Sequence, residues 1–303
     1  MLANLDNEVH FKNVFTDVEV FCAFVKDVLG IEIQIQKVET EKVLPSKVSA
    51  IKFRMDLFAE SDDHRTVVEI QKIDYDYSYD RFAHYFMANL IDMQRSSTNY
   101  AFAKEVYIIV VVTSAYKISE KNGKPIKDDV LITDINPRNL QGEIRDMHNH
   151  RMMILNTTCV NENTPPNIMD WLTLIRQSMH NREHPNVNMN KPAIAKALKL
   201  ADINNLSPQQ LADAKIVEMR KVAMVMMEEQ GMEKGMEKGM EKGMEKGMEK
   251  GMEKGMEKGI EKTKREGITK ALQRGKLTKE EIAEDFEVTL EYVQQIAAEM
   301  THN

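Results

Sequence analysis

The chain has 303 residues, 42% of them hydrophobic, enough for one sizeable domain with appendages or for two domains. Its 41 basic and 48 acidic residues give a net charge of −7, which argues against indiscriminate wrapping of nucleic acid and requires a local basic face for any such contact. Only two cysteines occur, Cys22 and Cys159, without partner spacing, which excludes a cysteine-based metal motif and suits a reducing compartment.

The first residues, Met1 to Asp6, lack a basic stretch followed by an apolar one, so no secretory signal is expected. Phe11 and Phe15 are four apart and predict a helical turn that docks on a core. Glu8 opens that turn, either as an acid favoured by the helix dipole or as a group reaching a nearby site. Residues 17–29 place Val18, Phe21, Cys22, Val25, Val28 and Leu29 at helical spacing, with Gly30 as the stop. Ile31 to Gln36 alternates apolar and polar residues and reads as a strand or a strand-like extension.

Residues 51–72 read as two strands around the polar turn Ser61-Asp62-Asp63-His64. A turn centred between Asp62 and Asp63 sets Asp56 opposite Glu69, Leu57 opposite Val68, Met55 opposite Ile70 and Arg54 opposite Gln71. Opposed residues of an antiparallel pair share a face. Met55, Leu57, Val68 and Ile70 then form one apolar face, and Asp56, Glu69 and Gln71 emerge on the other with Arg54, Phe58 and Val67. Like charges directly across a strand pair are destabilising. Either water screens them on an ordinary exposed strand, or a divalent cation offsets them. Mg²⁺ is held by one or two carboxylates with waters and substrate phosphates, and it can polarise a phosphodiester and acidify an attacking water.

Tyr75 to Tyr79 alternates Asp and Tyr, and a long amphipathic helix is expected from about 78 to 95. Arg81 and Tyr85 lie four apart on one face of it. They either face the Asp56/Glu69 site and touch a phosphate or carboxylate, or form a surface ion pair and a core tyrosine. Residues 104–113 are an apolar, β-branched run, the pattern of a strand buried on both faces. The strongest part, Val106 to Val112, is far short of a membrane span, so no membrane partner and a cytoplasmic location are expected. A polar loop at 117–128 precedes short strands at 130–132 and 152–155. His148 and His150 have strand-type ligand spacing but no third ligand nearby. With Arg138, Arg145 and Arg151 they read as a basic patch near the site mouth.

Four pieces in this order carry a resemblance: Glu8-Val9-His10-Phe11-Lys12-Asn13-Val14-Phe15; Asp56 followed at Glu69-Ile70-Gln71; Arg81-Phe82-Ala83-His84-Tyr85-Phe86; and Val106 to Val112. Over roughly residues 6–115 the chain resembles the PD-(D/E)XK nuclease family transposases, also called recombination-promoting nucleases. It has Glu8 where that family usually has Asp, and the E-x-Q form, with Gln71 where the wider superfamily has Lys. The resemblance implies an α/β fold with a restriction-endonuclease-like core, a central mixed sheet flanked by helices. It implies metal-dependent hydrolysis of DNA, with Asp56 and Glu69 holding Mg²⁺ or Mn²⁺, Glu8 completing the metal shell, and Gln71 placing the attacking water or the phosphate. Arg81 and Tyr85 would then contact phosphate. Gln71 supplies no positive charge, so the alternative is a catalytically inactive nuclease-fold protein that binds DNA or a protein.

Past Pro165-Pro166 the pattern is helical, around Met169 to Ile175, from Pro192 to Leu200, and after Ser207, an N-cap with Pro208 at the first helical position. Residues 231–258 are seven tandem copies of Gly-Met-Glu-Lys, with Gly-Ile-Glu-Lys following at 259–262. A four-residue period overshoots 3.6, so the Met stripe drifts around a helix, and glycine every fourth residue makes that helix marginal. It reads as a linker grown by repeat expansion, or as an element driving homo-oligomer or coiled-coil assembly. Residues 262–279 hold seven Lys or Arg against one acid, Glu266. Thr278 and Thr289 then cap two short helices, resembling a helix-turn-helix module. The second of them, with Glu291 and no Lys or Arg, suits protein contact as well as DNA. The expected organisation is a nuclease-like domain at 1–160, an all-α extension at 161–230, a repeat linker at 231–262 and a basic segment with a helical hairpin at 263–303.

Overall fold

The structure, a computed structural model, describes residues 1–44, 53–71, 79–93, 98, 100–113 and 119–301. The chain divides into two compact units, Met1–Val222 and Ala223–Asn303. The sequence-predicted structure at Ile51, Lys52, residues 72–78 and residues 94–95 lies outside the described residues.

In the first unit, β1 (Glu39–Leu44), β2 (Phe53–Glu60), β3 (His64–Gln71), β4 (Glu105–Val112), β5 (Val130–Asp134) and β6 (Arg151–Asn156) form one sheet, ordered β1-β2-β3-β4-β6-β5. β3, β4 and β6 run parallel, while β1, β2 and β5 pair antiparallel to their neighbours. β4 explains the mixed layering. Its Tyr107, Ile109 and Val111 enter one core, and Val106, Ile108, Val110 and Val112 the other. A strand buried on both faces needs apolar residues at both parities.

On one face lie α1 (Glu8–Phe15), α2 (Val18–Leu29), α4 (Pro166–His180) and α5 (Pro192–Leu200), packed on Leu57, Val68, Ile70 and the odd-numbered residues of β4. Each helix start has a local cause. Asn7 accepts from the Val9 N–H, Asp17 accepts from those of Glu19 and Val20, and α4 and α5 begin on prolines. Gly30, with φ 73°, ends α2 in the left-handed conformation that glycine adopts without strain. The other face is covered by α3 (Asp80–Asp92), whose Phe82, Phe86 and Leu90 pack on Phe58, Val67 and the even-numbered residues of β4.

Two sequence expectations change. Residues 31–36 form no strand, although Ile33 is buried and Ile31 and Ile35 pack against the same core. Their alternation records burial without a ladder partner. The strand is instead the polar β1, an edge element with a single neighbour and little apolar pattern to read. The hairpin register holds at Leu57↔Val68, Phe58↔Val67, Ala59↔Thr66 and Glu60↔Arg65. The expected apolar face does not hold throughout. Met55 joins the α3 core while Leu57 joins the opposite one, so side-chain alternation breaks at Asp56.

α6 (Pro208–Arg274) contains every Gly-Met-Glu-Lys copy in helical conformation, where the sequence predicts only a marginal helix. Three good helix formers per copy, with Lys and Glu at i,i+3, offset a glycine cost of about 1 kcal/mol each. In the second unit the end of α6 meets α7 (Lys279–Asp285) and α8 (Leu290–Thr301) around Ile268, Ile282, Ala283, Val293 and Ile296. Thr278 and Glu281 form a reciprocal capping box, and Glu287, at φ 49°, turns the chain between α7 and α8.

The helical glycines divide into two kinds. A Cβ on Gly243 meets no atom within 4 Å, whereas one on Gly267 falls 2.5 Å from the Phe286 ring. Gly243→Ala is expected to strengthen the helix by about 1 kcal/mol, and Gly267→Ala to weaken the three-helix cluster by about 1–3 kcal/mol through overpacking. Thermal melts of the full chain followed at 222 nm check this, and equal effects of the two substitutions would refute it.

Candidate active site

The site forms where the β2–β3 ladder gives way. Backbone pairing runs from Glu60 back to Leu57 and stops before Asp56. There the carboxylates replace carbonyls as acceptors. The Asp56 N–H donates to Glu69 Oε1 at 3.0 Å, and the Ile70 N–H donates to Asp56 Oδ2 at 3.2 Å. The opposed acids of the sequence reading are therefore together, each fastened to the partner strand's backbone. Pairing continues without a break on the other side of β3, where Glu69 lies beside Val110 and Gln71 beside Val112.

Glu69 is 4% exposed. Burial, and then the nearby Asp56 charge, hold its carboxyl well above the usual carboxylate range, while the Asp56 N–H and the charge of Arg81 pull the other way. Arg81, in the first turn of α3, thus acts on Glu69. Its Nη2 donates to Tyr85 Oη at 3.3 Å, and its guanidinium carbon lies 5.5 Å from the Tyr85 ring centroid. Arg65 fastens α3 to β3: it is buried, and it pairs with Glu60 at 3.0 Å and with Asp92 at 2.9 Å.

From the opposite face of the sheet α1 brings Lys12, to which the sequence reading gave no role. Its Nζ lies 3.4 Å from Asp56 Oδ1 and 3.9 Å from Glu8 Oε2, and it pairs with Glu41 Oε1. Burial lowers the Lys12 pKa, but Asp56, Glu41 and Glu8 together outweigh it and raise the group above its ordinary value. Glu41 was also missed. It lies on β1 between the pairs Thr40↔Leu57 and Lys42↔Met55, across from Asp56, with φ 55°, and its Oε2 meets Arg54 Nε at 3.0 Å. A left-handed non-glycine residue costs on the order of 1–3 kcal/mol and marks an over-determined position. The i,i+4 spacing of Glu8 and Lys12 was the available signal for Lys12; Glu41 on a polar edge strand offered none.

The structure thus brings Asp56, Glu69, Arg81 and Tyr85 together and links Glu8 to them through Lys12. Gln71 is placed by its backbone, at the end of β3 two residues beyond Glu69. The histidine patch is not at this mouth. His150 Nδ1 accepts from the Val106 N–H, and Val106 pairs with Arg65, about 13 Å along β3 from Glu69 at ~3.3 Å per residue. There His64, Glu105, His148 and His150 line a separate cavity of about 1030 Å³.

Among the described residues no three His, Cys, Asp or Glu side chains are placed to hold a metal ion. The Asp56/Glu69 pair matches the need of Mg²⁺, which takes one or two protein carboxylates and completes its shell with water and phosphate. No helix among the described residues is long and apolar enough to cross a membrane.

A family model described as PD-(D/E)XK nuclease family transposase matches residues 6–230. No curated protein and no solved structure matches the chain.

A carboxyl whose folded pKa exceeds its unfolded value lends stability below the unfolded pKa and loses it as pH rises through the folded one. Glu69 therefore makes the metal-free protein less stable as pH climbs from the ordinary Glu range. Glu69→Gln keeps the acceptor for the Asp56 N–H without the charge. In EDTA its melting temperature is expected to exceed that of wild type at pH 8 and to converge with it near the ordinary Glu pKa of about 4.3. Parallel pH profiles of the two proteins would show that Glu69 is not the strained group.

Proposed function

The chain belongs to the PD-(D/E)XK nuclease family transposases, and on that footing we propose that it is an endonuclease that hydrolyses DNA phosphodiester bonds with a divalent cation. Its fold is the α/β core of that superfamily, a mixed six-stranded sheet with flanking helices and a helical C-terminal extension. Membership implies nuclease-type function on DNA, in a superfamily that uses divalent metals. The observation that carries the finer reading is the buried Glu69 beside the half-buried Asp56 at the end of the β2–β3 ladder, two acids that each accept a backbone N–H from the partner strand.

In this reading Asp56 and Glu69 would hold Mg²⁺ or Mn²⁺, and Glu8, paired here with Lys12, would complete the shell only by leaving that lysine. The cation would lower the pKa of a water and polarise the phosphate. Gln71 would orient the attacking water or the scissile phosphate. Arg81, steadied by Tyr85, faces the charge that develops on the phosphate oxygens, and Tyr85 offers its hydroxyl to the same group. Transposition or recombination is the biological setting proposed from the family. Cys22 and Cys159 are free thiols, which supports a reducing compartment such as the cytoplasm. The hairpin of α7 and α8 serves as a contact module for DNA or for a second copy of the chain.

A second reading, a nuclease fold that binds DNA without cutting it, is favoured by one feature: position 71 carries Gln, which cannot supply a cation. Nicking of supercoiled plasmid with Mg²⁺ or Mn²⁺ separates the two. Wild type is expected to nick and Asp56→Ala to lose at least about 100-fold in rate, the scale on which a removed transition-state contact is felt. Binding of the plasmid without nicking by wild type would establish the second reading, and equal nicking by both proteins would move the active site elsewhere.

A further inference from the structure

We propose that Lys12, presented by α1, is the catalytic cation of this site, contacting the scissile phosphate in the role that a lysine at position 71 would otherwise fill. The inference rests on the nuclease reading and extends it to a residue outside the two-strand motif.

Three observations carry it. Lys12 crosses to the strand gap: its Nζ lies 3.4 Å from Asp56 Oδ1, close to one member of the pair assigned to the metal. The Lys12 side chain is 13% exposed, yet it is held by three acids, Glu8, Glu41 and Asp56. A surface lysine on a helix needs one partner at most and gains little from it. Lys12 is also held from behind. Phe11 stacks on Phe15 with centroids 4.2 Å apart, Asn7 Nδ2 donates to the Ala214 carbonyl at 2.9 Å, and Asn13 Nδ2 donates to the Leu200 carbonyl at 3.2 Å. α1 is therefore fixed at both ends and through its buried face, the condition for holding a charge in position. Position 71, two residues beyond Glu69 on β3, carries the neutral Gln.

The chemistry needs such a charge. Attack by water forms a new phosphorus–oxygen bond and breaks the bond from phosphorus to the departing sugar oxygen. The attacking water gives up a proton to solvent, and the departing oxygen takes one up, so the sum is hydrolysis. Negative charge gathers on the phosphate oxygens as this happens. An ammonium is a compact point charge with three donors, suited to a phosphate that is approached from one side. Glu41 and Glu8 hold Lys12 beside Asp56, and the phosphate becomes a further partner of the ammonium as negative charge gathers on its oxygens toward the transition state.

The test uses the full chain with two readouts, plasmid nicking in Mn²⁺ and calorimetric Mn²⁺ binding without DNA. Lys12→Gln is expected to slow nicking by about 10²–10³-fold while Mn²⁺ affinity stays the same or tightens. Adding Gln71→Lys to that variant is expected to restore at least tenfold. Should Lys12→Gln fail to fold, Lys12→Gln/Glu41→Gln removes the cation together with an acid it neutralises, and the same readouts apply. Nicking by Lys12→Gln at the wild-type rate overturns the assignment. So does a loss of nicking that comes with loss of Mn²⁺ binding and no rescue by Gln71→Lys, which would make Lys12 a structural counter-ion. A wild-type chain silent with both Mg²⁺ and Mn²⁺ overturns the nuclease reading itself, and this one with it.

Discussion

A carboxylate buried beside a second one cannot stay charged unless something else answers the pair. Asp56 and Glu69 meet this constraint in three ways. Their oxygens accept backbone N–H groups across the strand gap, Lys12 approaches Asp56, and the charge of Arg81 acts on Glu69. What remains unbalanced is held as a raised Glu69 pKa, which a divalent cation would relieve. The ladder ends at this point, the alternation of β2 breaks here, and Glu41 opposite takes a left-handed backbone. Local irregularity of this kind gathers where a scaffold carries chemistry.

The rest of the first unit keeps two helices at the ends of that constraint. α1 is seated by an aromatic group in which Phe15 and Phe24 meet Trp171, whose indole N–H donates to Asp27 Oδ2 at 2.6 Å. That contact ties α4, far along the chain, to α2, and the Phe15–Trp171 ring contact ties it to α1, which carries Lys12. α3 is seated by the Phe82 and Phe86 side chains and by the buried Arg65 between Glu60 and Asp92. Breaking one partner of a buried ion group leaves the other uncompensated, at a cost of about 3–5 kcal/mol. The Arg65 group therefore matters to the placement of Arg81 and Tyr85, which lie on the same helix as Asp92. The sheet lies between the two helices, so the site draws its cations from opposite faces and its acids from the strands.

Much of this was legible in the amino-acid pattern. The β4 run reads as a doubly buried strand because a continuous apolar stretch admits few other placements. The facing of Asp56 and Glu69 follows from turn position alone, since a hairpin's register is fixed by its loop. α2 is visible through its spacing and Gly30. Other parts were hidden for definable reasons. β1 is polar because one side of it is open, and the alternating residues 31–36 imitate a strand while merely packing on the core. Met55 escapes the period-2 rule because the strand is irregular at Asp56, and no propensity records that break. The histidines sit at the far strand ends because parallel strands reached through long crossovers can carry a loop to either edge.

The sequence by itself determined the fold class, the two acids, the Arg81–Tyr85 face and the mainly helical character of the described residues after Pro165, because these depend on short-range periodicity and on spacing within one element. Only the tertiary structure decided which charges answer those acids. Lys12, Glu41 and Asp56 lie on three different elements, and their meeting depends on how α1 and β1 pack against β2. Side-chain spacing along one element fixes which residues share its face. The distance between faces of different elements is set by the volume of the core between them, here Phe11, Phe15 and Leu57, and no linear pattern encodes it.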